Sequence, residues 1–149
     1  MVKFILMILI FITNFALAAE KCDYKIQFDD TIPANVSFIK LGNSKKYVKF
    51  EVKPDYFETT IQDCAFRNNK YYILSSSITY PANTLAQSIL VVSIFDKFGN
   101  LNEQKFINKK WTCEVDDGFY KKNNKLEVLY SCTDKLENLK YNKYAIEIK

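Results

Sequence analysis

Residues 88–95 read Ser-Ile-Leu-Val-Val-Ser-Ile-Phe, the longest apolar run rich in β-branched residues beyond the N-terminal segment. In an extended strand the large apolar side chains of this run divide between two faces, with Leu90, Val92 and Ile94 on one and Ile89, Val91 and Phe95 on the other. A strand that is apolar on both faces is typical of a sheet that is covered on both sides. We therefore expect this strand to be central and buried.

A second strand follows this run after a short loop. Asp96–Asn100 contains Gly99, a residue that readily adopts positive φ, and Glu103–Ile107 is long enough to return beside the first strand. This spacing predicts a β-hairpin with a loop of four or five residues.

The rest of the chain contains short segments in which apolar and polar residues alternate. They are Tyr24–Phe28, Val36–Leu41, Tyr47–Val52, Tyr56–Ile61, Lys70–Ser75, Ile78–Tyr80, Trp111–Val115, Leu126–Cys132 and Tyr144–Ile148. About ten strands separated by turns every eight to twelve residues or so predict an all-β fold, either an antiparallel β-sandwich or a small barrel. One short helix is expected over Asp134–Lys140, with Asp134 as its cap.

The four cysteines are expected to form two disulfides. If the last two alternating strands before the helix pair around a loop at Lys121–Asn124, Cys113 falls opposite Cys132. That register favours a Cys113–Cys132 bridge among the three possible connectivities, and it leaves Cys22 to pair with Cys64. Tyr130, two residues before Cys132, is similar to the tyrosine corner of immunoglobulin domains. We take this as support for an Ig-like sandwich shape rather than for family membership.

The N-terminus has the three-part pattern of a secretory signal peptide. Lys3 supplies a positive charge, Phe4–Ile12 is apolar, and Ala16-Leu17-Ala18 places small residues before a cut at Ala19. We expect residues 1–18 to be removed and residues 19–149 to form a single domain that is secreted or periplasmic. No stable membrane anchor is expected after cleavage, because no later apolar stretch approaches the roughly 20 residues that a spanning helix needs.

Composition removes several classes of function. The chain has no histidine, which excludes a Ser-His-Asp triad and histidine-ligated metal centres. Arg67 is the only arginine among 21 basic residues, so specific binding of nucleic acid is not expected. No Cys-x-x-Cys pair is present, and we expect neither a metal nor a cofactor.

The best acidic pairs are Asp116-Asp117 before Gly118, and Asp29-Asp30. Two carboxylates can hydrolyse a glycoside or hold calcium. Both pairs are expected in turns, where aspartate side chains bond the local backbone, so we interpret them as structural.

Aromatic residues are the remaining candidates for a functional surface. Tyr24, Tyr130 and Tyr144 share the parity of apolar neighbours and are expected in the core. The candidate partner-binding residues are those out of phase with the core or predicted in a loop: Tyr47, Tyr71 or Tyr72, and Tyr120.

These observations predict an exported, non-catalytic binding module that engages a protein or a glycan through a sheet face or loop end. Two alternatives remain open at this point. One is a small carboxylate-dependent hydrolase, and the other is a secreted enzyme inhibitor.

Overall fold

The computed structural model describes residues 22–28, 35–52, 58–79, 86–108, 112–133 and 138–148. Within these ranges the chain forms ten β-strands and no helix: β1 (Tyr24–Phe28), β2 (Val36–Leu41), β3 (Val48–Lys49), β4 (Glu58–Arg67), β5 (Lys70–Thr79), β6 (Gln87–Asp96), β7 (Leu101–Phe106), β8 (Thr112–Lys122), β9 (Lys125–Thr133) and β10 (Leu139–Glu147). The predicted signal peptide lies outside these residues, as do Asp29-Asp30, Tyr56, Tyr80 and Trp111.

The strands form three antiparallel sheets, each built from strands that are consecutive in the chain. The first sheet has the order β1-β2-β3, the central sheet β4-β5-β6-β7, and the third sheet β10-β9-β8. The predicted all-β class and antiparallel pairing are confirmed. Every described pairing joins strands that are neighbours in the chain.

The core lies on both faces of the central sheet, and β6 contributes to each. Val92 and Ile94 pack with third-sheet residues such as Val128. Ile89, Val91 and Phe95 pack with residues of the first sheet and its C-terminal extension, among them Ile39 and Phe50. The two-faced burial expected for residues 88–95 is therefore confirmed. Each large apolar side chain buried in this way contributes roughly 1.5–3 kcal/mol relative to an exposed one.

Both predicted disulfides are present. Cys22–Cys64 joins the segment before β1 to β4, with Cα atoms 5.4 Å apart. Cys113–Cys132 bridges directly opposed residues of β8 and β9, with Cα atoms 4.1 Å apart. The register that predicted it is confirmed by the pairing of Val115 with Tyr130.

The β6–β7 loop is closed by the side chain of Asp96. Its Oδ1 accepts hydrogen bonds from the backbone N–H groups of Phe98 at 2.8 Å and Asn100 at 2.9 Å. Its Oδ2 accepts one from the Asn100 amide at 2.8 Å. These bonds, with the Asn100 side chain contributing most, hold the pKa of Asp96 below its usual value. Gly99 takes φ 89° in this loop, so the predicted hairpin is confirmed together with its glycine.

Several local predictions are wrong. The segments Tyr56–Ile61, Lys70–Ser75 and Ile78–Tyr80 were too short, because the β4–β5 hairpin has ten residues in each strand around a turn at Asn68-Asn69. Of the predicted helix, residues 134–137 lie outside the described ranges, while Leu139 and Lys140 belong to β10. Backbone pairing with Thr133 and Cys132 outweighs the weak helical spacing there.

Two further corrections concern side chains. Asp116-Asp117-Gly118 lies inside β8, at shifts of register against β9, and not in a turn. Tyr24 is exposed at the start of edge strand β1. It pairs with Leu41, the last residue of β2, so its ring lies at the margin of the core. Tyr130 and Tyr144 are half-buried and pack against core residues, as expected.

Candidate functional site

The first sheet buries one face against the central sheet and leaves the other open. Ile39, Leu41 and Phe50 occupy the buried side. The open side, called the Tyr47 face below, is formed by Lys25, Gln27, Phe38, Lys40, Tyr47 and Lys49.

The register explains why these side chains share one face. Lys25 pairs with Lys40, and Gln27 pairs with Phe38. Phe38 also pairs with Lys49, and Tyr47 stands two residues before Lys49 along the chain. Residues directly opposite each other point to the same side of a sheet. The rings of Phe38 and Tyr47 are therefore surrounded by lysine side chains.

Tyr47 is 44% exposed and Phe38 is 37% exposed, which leaves both rings accessible. The outward orientation predicted for Tyr47 is confirmed. Phe38 was missed, although Lys40 has the same parity and indicated an outward face. Val36 shares the parity of Phe38 but is buried, because the ladder with β1 shifts register between Gln27 and Phe28.

The Tyr47 face carries a positive charge. Lys25, Lys40 and Lys49 lie on it, and Lys45 and Lys46 are exposed in the turn beside it. Lys49 forms an ion pair with Glu51, which neutralises part of the charge at one edge. The remaining lysines are suited to an anionic surface.

Tyr71 and Tyr72 do not belong to this face. Tyr72 is 1% exposed and lies in the core between the central and third sheets, so it offers no ring to a partner. Burial raises the pKa of its hydroxyl. Tyr71 is half-buried, packs beside Phe66 with ring centroids 4.5 Å apart, and its hydroxyl lies where a Cβ at Gly42 would be. Tyr71 is therefore engaged in packing.

Tyr120 lies in β8 and not in the predicted loop, because β8 and β9 remain paired as far as Lys122 and Lys125. Its hydroxyl hydrogen-bonds the Glu127 carboxylate on the outer face of the third sheet. Burial, followed by this hydrogen bond, raises the pKa of Tyr120 to about 12. The same hydrogen bond is the largest of the effects that hold the pKa of Glu127 below its usual value. Lys143, whose Nζ lies 3.4 Å from Oε1 of Glu127, lowers this pKa further.

The acidic pair in β8 is used locally. Asp116 accepts a hydrogen bond from the Ser131 hydroxyl at 2.8 Å. Asp117 accepts one from the N–H of Gly118 at 2.9 Å. Within the described ranges, no three histidine, cysteine, aspartate or glutamate side chains are grouped so that they could hold a metal ion.

A groove of about 490 Å³ lies between the last residues of β5, the first residues of β6 and the first residues of β8. Its lining includes Gln62, Ser76, Ser88 and Glu114. The Tyr47 face and this groove are formed by different strands.

In the described part of the chain there is no helix of the length and hydropathy required to span a bilayer. Comparisons with protein-family models, with curated proteins and with solved structures found no match to this chain.

Proposed function

We propose that this protein is an exported, non-catalytic binding module that engages the acidic surface of a partner protein through the Tyr47 face. The observation that carries the proposal is the pair of accessible rings, Phe38 and Tyr47, among lysines on a sheet whose opposite face is buried. The two disulfides support export, because such bonds persist in oxidising compartments.

The two kinds of side chain have separate roles in this proposal. Lysines attract an acidic surface over distances of about 10 Å or less at 0.1 M ionic strength. Aromatic rings then supply contact area, and a ring that becomes fully buried in an interface can be worth about 2 kcal/mol or more. A flat sheet face suits a macromolecular surface better than a small molecule, which needs a concave site.

Binding should therefore weaken when either component is removed. Phe38→Ala/Tyr47→Ala is expected to reduce affinity at least tenfold at constant ionic strength, which corresponds to about 1.4 kcal/mol. Lys25→Glu/Lys40→Glu is expected to slow association and to reduce the dependence of the rate on salt.

The experiment is a comparative pull-down from envelope and host fractions, followed by biolayer interferometry on each captured protein. Tyr141→Ala is the matched control, because Tyr141 is 76% exposed on the third sheet, far from the Tyr47 face in the strand order. A supporting partner is acidic, is retained by this control and is lost by Phe38→Ala/Tyr47→Ala. If every captured protein binds the double variant as well as the wild type, the proposal is wrong.

Export and the absence of catalysis have tests of their own. The mature protein is expected to begin at or near Ala19, and the intact mass of exported material measures this. A turnover that is abolished by replacing one acid, such as Glu114→Gln, would instead favour the carboxylate-dependent hydrolase.

A further inference from the structure

The groove beside β8 is a concave polar site that the proposed contact face does not use. It is lined by Gln62, Ser76, Ile78, Ala86, Gln87, Ser88, Thr112, Cys113, Glu114 and Val115. Its volume of about 490 Å³ falls within the roughly 300–1,000 Å³ that is usual for small-molecule sites. Size alone permits a small ligand, and the chemistry of the lining narrows its class.

The polar groups of the lining retain hydrogen-bonding capacity. The hydroxyls of Ser76 and Ser88 bond each other at 2.9 Å, which uses one of their two O–H donors. The Gln62 amide nitrogen donates to the Thr60 hydroxyl at 3.3 Å, which leaves its carbonyl oxygen as an acceptor. Gln87 and Glu114 add a second amide and a carboxylate. Donors and acceptors are therefore interspersed, which suits a ligand rich in hydroxyl groups.

Among the lining residues that the structure describes, the one charged side chain is acidic, which disfavours an anionic ligand. The chain contains 21 lysines and arginines, and none belongs to the ten described lining residues. Glu114 is the single ionisable carboxylate among them, and it would repel phosphate, sulfate or uronate groups. The apolar side chains of Ile78 and Val115 offer a surface for C–H groups.

The walls of the groove are fixed by bonds between strands. The Thr112 hydroxyl donates to the carbonyl of Ala86 at 3.3 Å, which ties the start of β8 to the start of β6. Cys113 is held to β9 by its disulfide. Asn108 accepts from the Leu90 N–H at 2.8 Å and donates to the Ser88 carbonyl at 3.1 Å, so the β6 wall is braced from its other side. A site held in this way loses little conformational entropy when it binds.

We propose that this groove binds an uncharged saccharide of one or two pyranose rings. Gln62, Gln87 and Glu114 bond its hydroxyl groups, and Val115 contacts its C–H face. This inference does not rest on the Tyr47 face, since the two sites share no residue.

The test is an NMR titration of the isotopically labelled mature protein with cellobiose and with chitobiose. We expect saturable shifts of amide signals from Ser76, Ser88 and residues 112–115, with affinity in about the millimolar range that a few hydrogen bonds provide. Gln62→Ala/Glu114→Ala should weaken binding about tenfold, because each lost hydrogen bond costs roughly 2- to 13-fold. Both side chains are exposed, so their removal should leave the fold intact. The amide spectrum of the unliganded variant checks this.

Tyr47→Ala is the matched control and should leave saccharide affinity unchanged, which separates this site from the proposed contact face. The inference is overturned if neither disaccharide gives saturable shifts, or if Gln62→Ala/Glu114→Ala binds as tightly as the wild type. It is also overturned if the tripeptide Ser-Gly-Ser shifts the same signals at lower concentration than the sugars, which would make the groove a peptide site.

Discussion

Replacing Gly118 with alanine is expected to destabilise the protein by about 1–3 kcal/mol, the usual cost of overpacking. A Cβ at this position would lie 2.8 Å from Cγ of Asp63 and closer still to Oδ2. The carboxylate cannot withdraw freely. Its Oδ2 accepts a hydrogen bond from the Phe119 N–H at 2.6 Å, and its Oδ1 accepts one from the Cys64 N–H at 2.8 Å.

Asp63 thus links β4 of the central sheet to β8 of the third sheet. Asp63→Ala removes the bond to Phe119 and leaves a half-buried N–H without that acceptor, at a cost of roughly 1.5–3 kcal/mol for a bond to a charged group. It also removes Cγ and Oδ2, the two atoms that a new Cβ at Gly118 would approach most closely, and leaves the Cβ of residue 63 at 3.2 Å. The two substitutions together should therefore cost less than the sum of the two alone, by at least about 1 kcal/mol.

Urea denaturation of the wild type, both single variants and the double variant measures this coupling energy. Asp63→Asn is the matched background, because asparagine keeps both the bulk and an acceptor oxygen, so Gly118→Ala should remain costly there. Additive effects in the alanine cycle, within about 0.5 kcal/mol, would refute the contact as the source of the cost.

Three further predictions concern the disulfides, the exposed ring and the buried carboxylate. Cys113→Ala/Cys132→Ala is expected to lower the free energy of unfolding by roughly 3 kcal/mol, from a bridge between residues 19 apart, and an unchanged denaturation midpoint would contradict this. Tyr47→Ala should change stability by no more than about 0.5 kcal/mol in the same assay, whereas a large loss would place the ring in the core. Tyr120→Phe should raise the pKa of Glu127 towards its usual 4.5, as measured by carboxyl NMR titration, because it removes the largest effect that lowers it. The carboxylate stabilises the fold above pH 4.5, and this contribution is lost as the pH falls through its lower folded-state pKa, so Tyr120→Phe should reduce the stability difference between neutral and acidic pH.

Strand register could be predicted where both partners of a pair carried a signal. Cys113 and Val115 have the same parity as Cys132 and Tyr130, and a short turn between the strands leaves one register that pairs them all. The two faces of β6 were predictable for a similar reason, since only a doubly covered strand satisfies Leu90, Val92 and Ile94 on one side and three more large side chains on the other.

The sequence was less informative where polar residues are buried or strands bulge. Ser75 and Ser77 are fully buried, and their hydroxyls form hydrogen bonds, which makes their burial inexpensive. Because they are polar, they interrupt the apolar pattern, and the sequence did not show that β5 continues through them. Asp63 stands at a register shift in β4, and the acceptor role of its carboxylate depends on β8, a strand about 50 residues later. Contacts of this kind are set by tertiary packing, which local pattern does not encode.

The candidate sites follow from the same arrangement of sheets. The first and third sheets each use one face to cover the central sheet, so their outer faces are left to solvent. Along these strands several lysines are neutralised by nearby acids, as in Lys125–Glu147, where Nζ and Oε1 are 2.8 Å apart. The net charge of +4 is therefore a poor guide to a partner. What distinguishes the Tyr47 face is local: Lys25 and Lys40 oppose each other across β1 and β2, so two like charges remain side by side next to an accessible ring. Like charges directly opposite in a sheet reduce stability. An acidic partner would relieve that repulsion on binding, which gives the pair a contribution to affinity beyond that of either lysine alone.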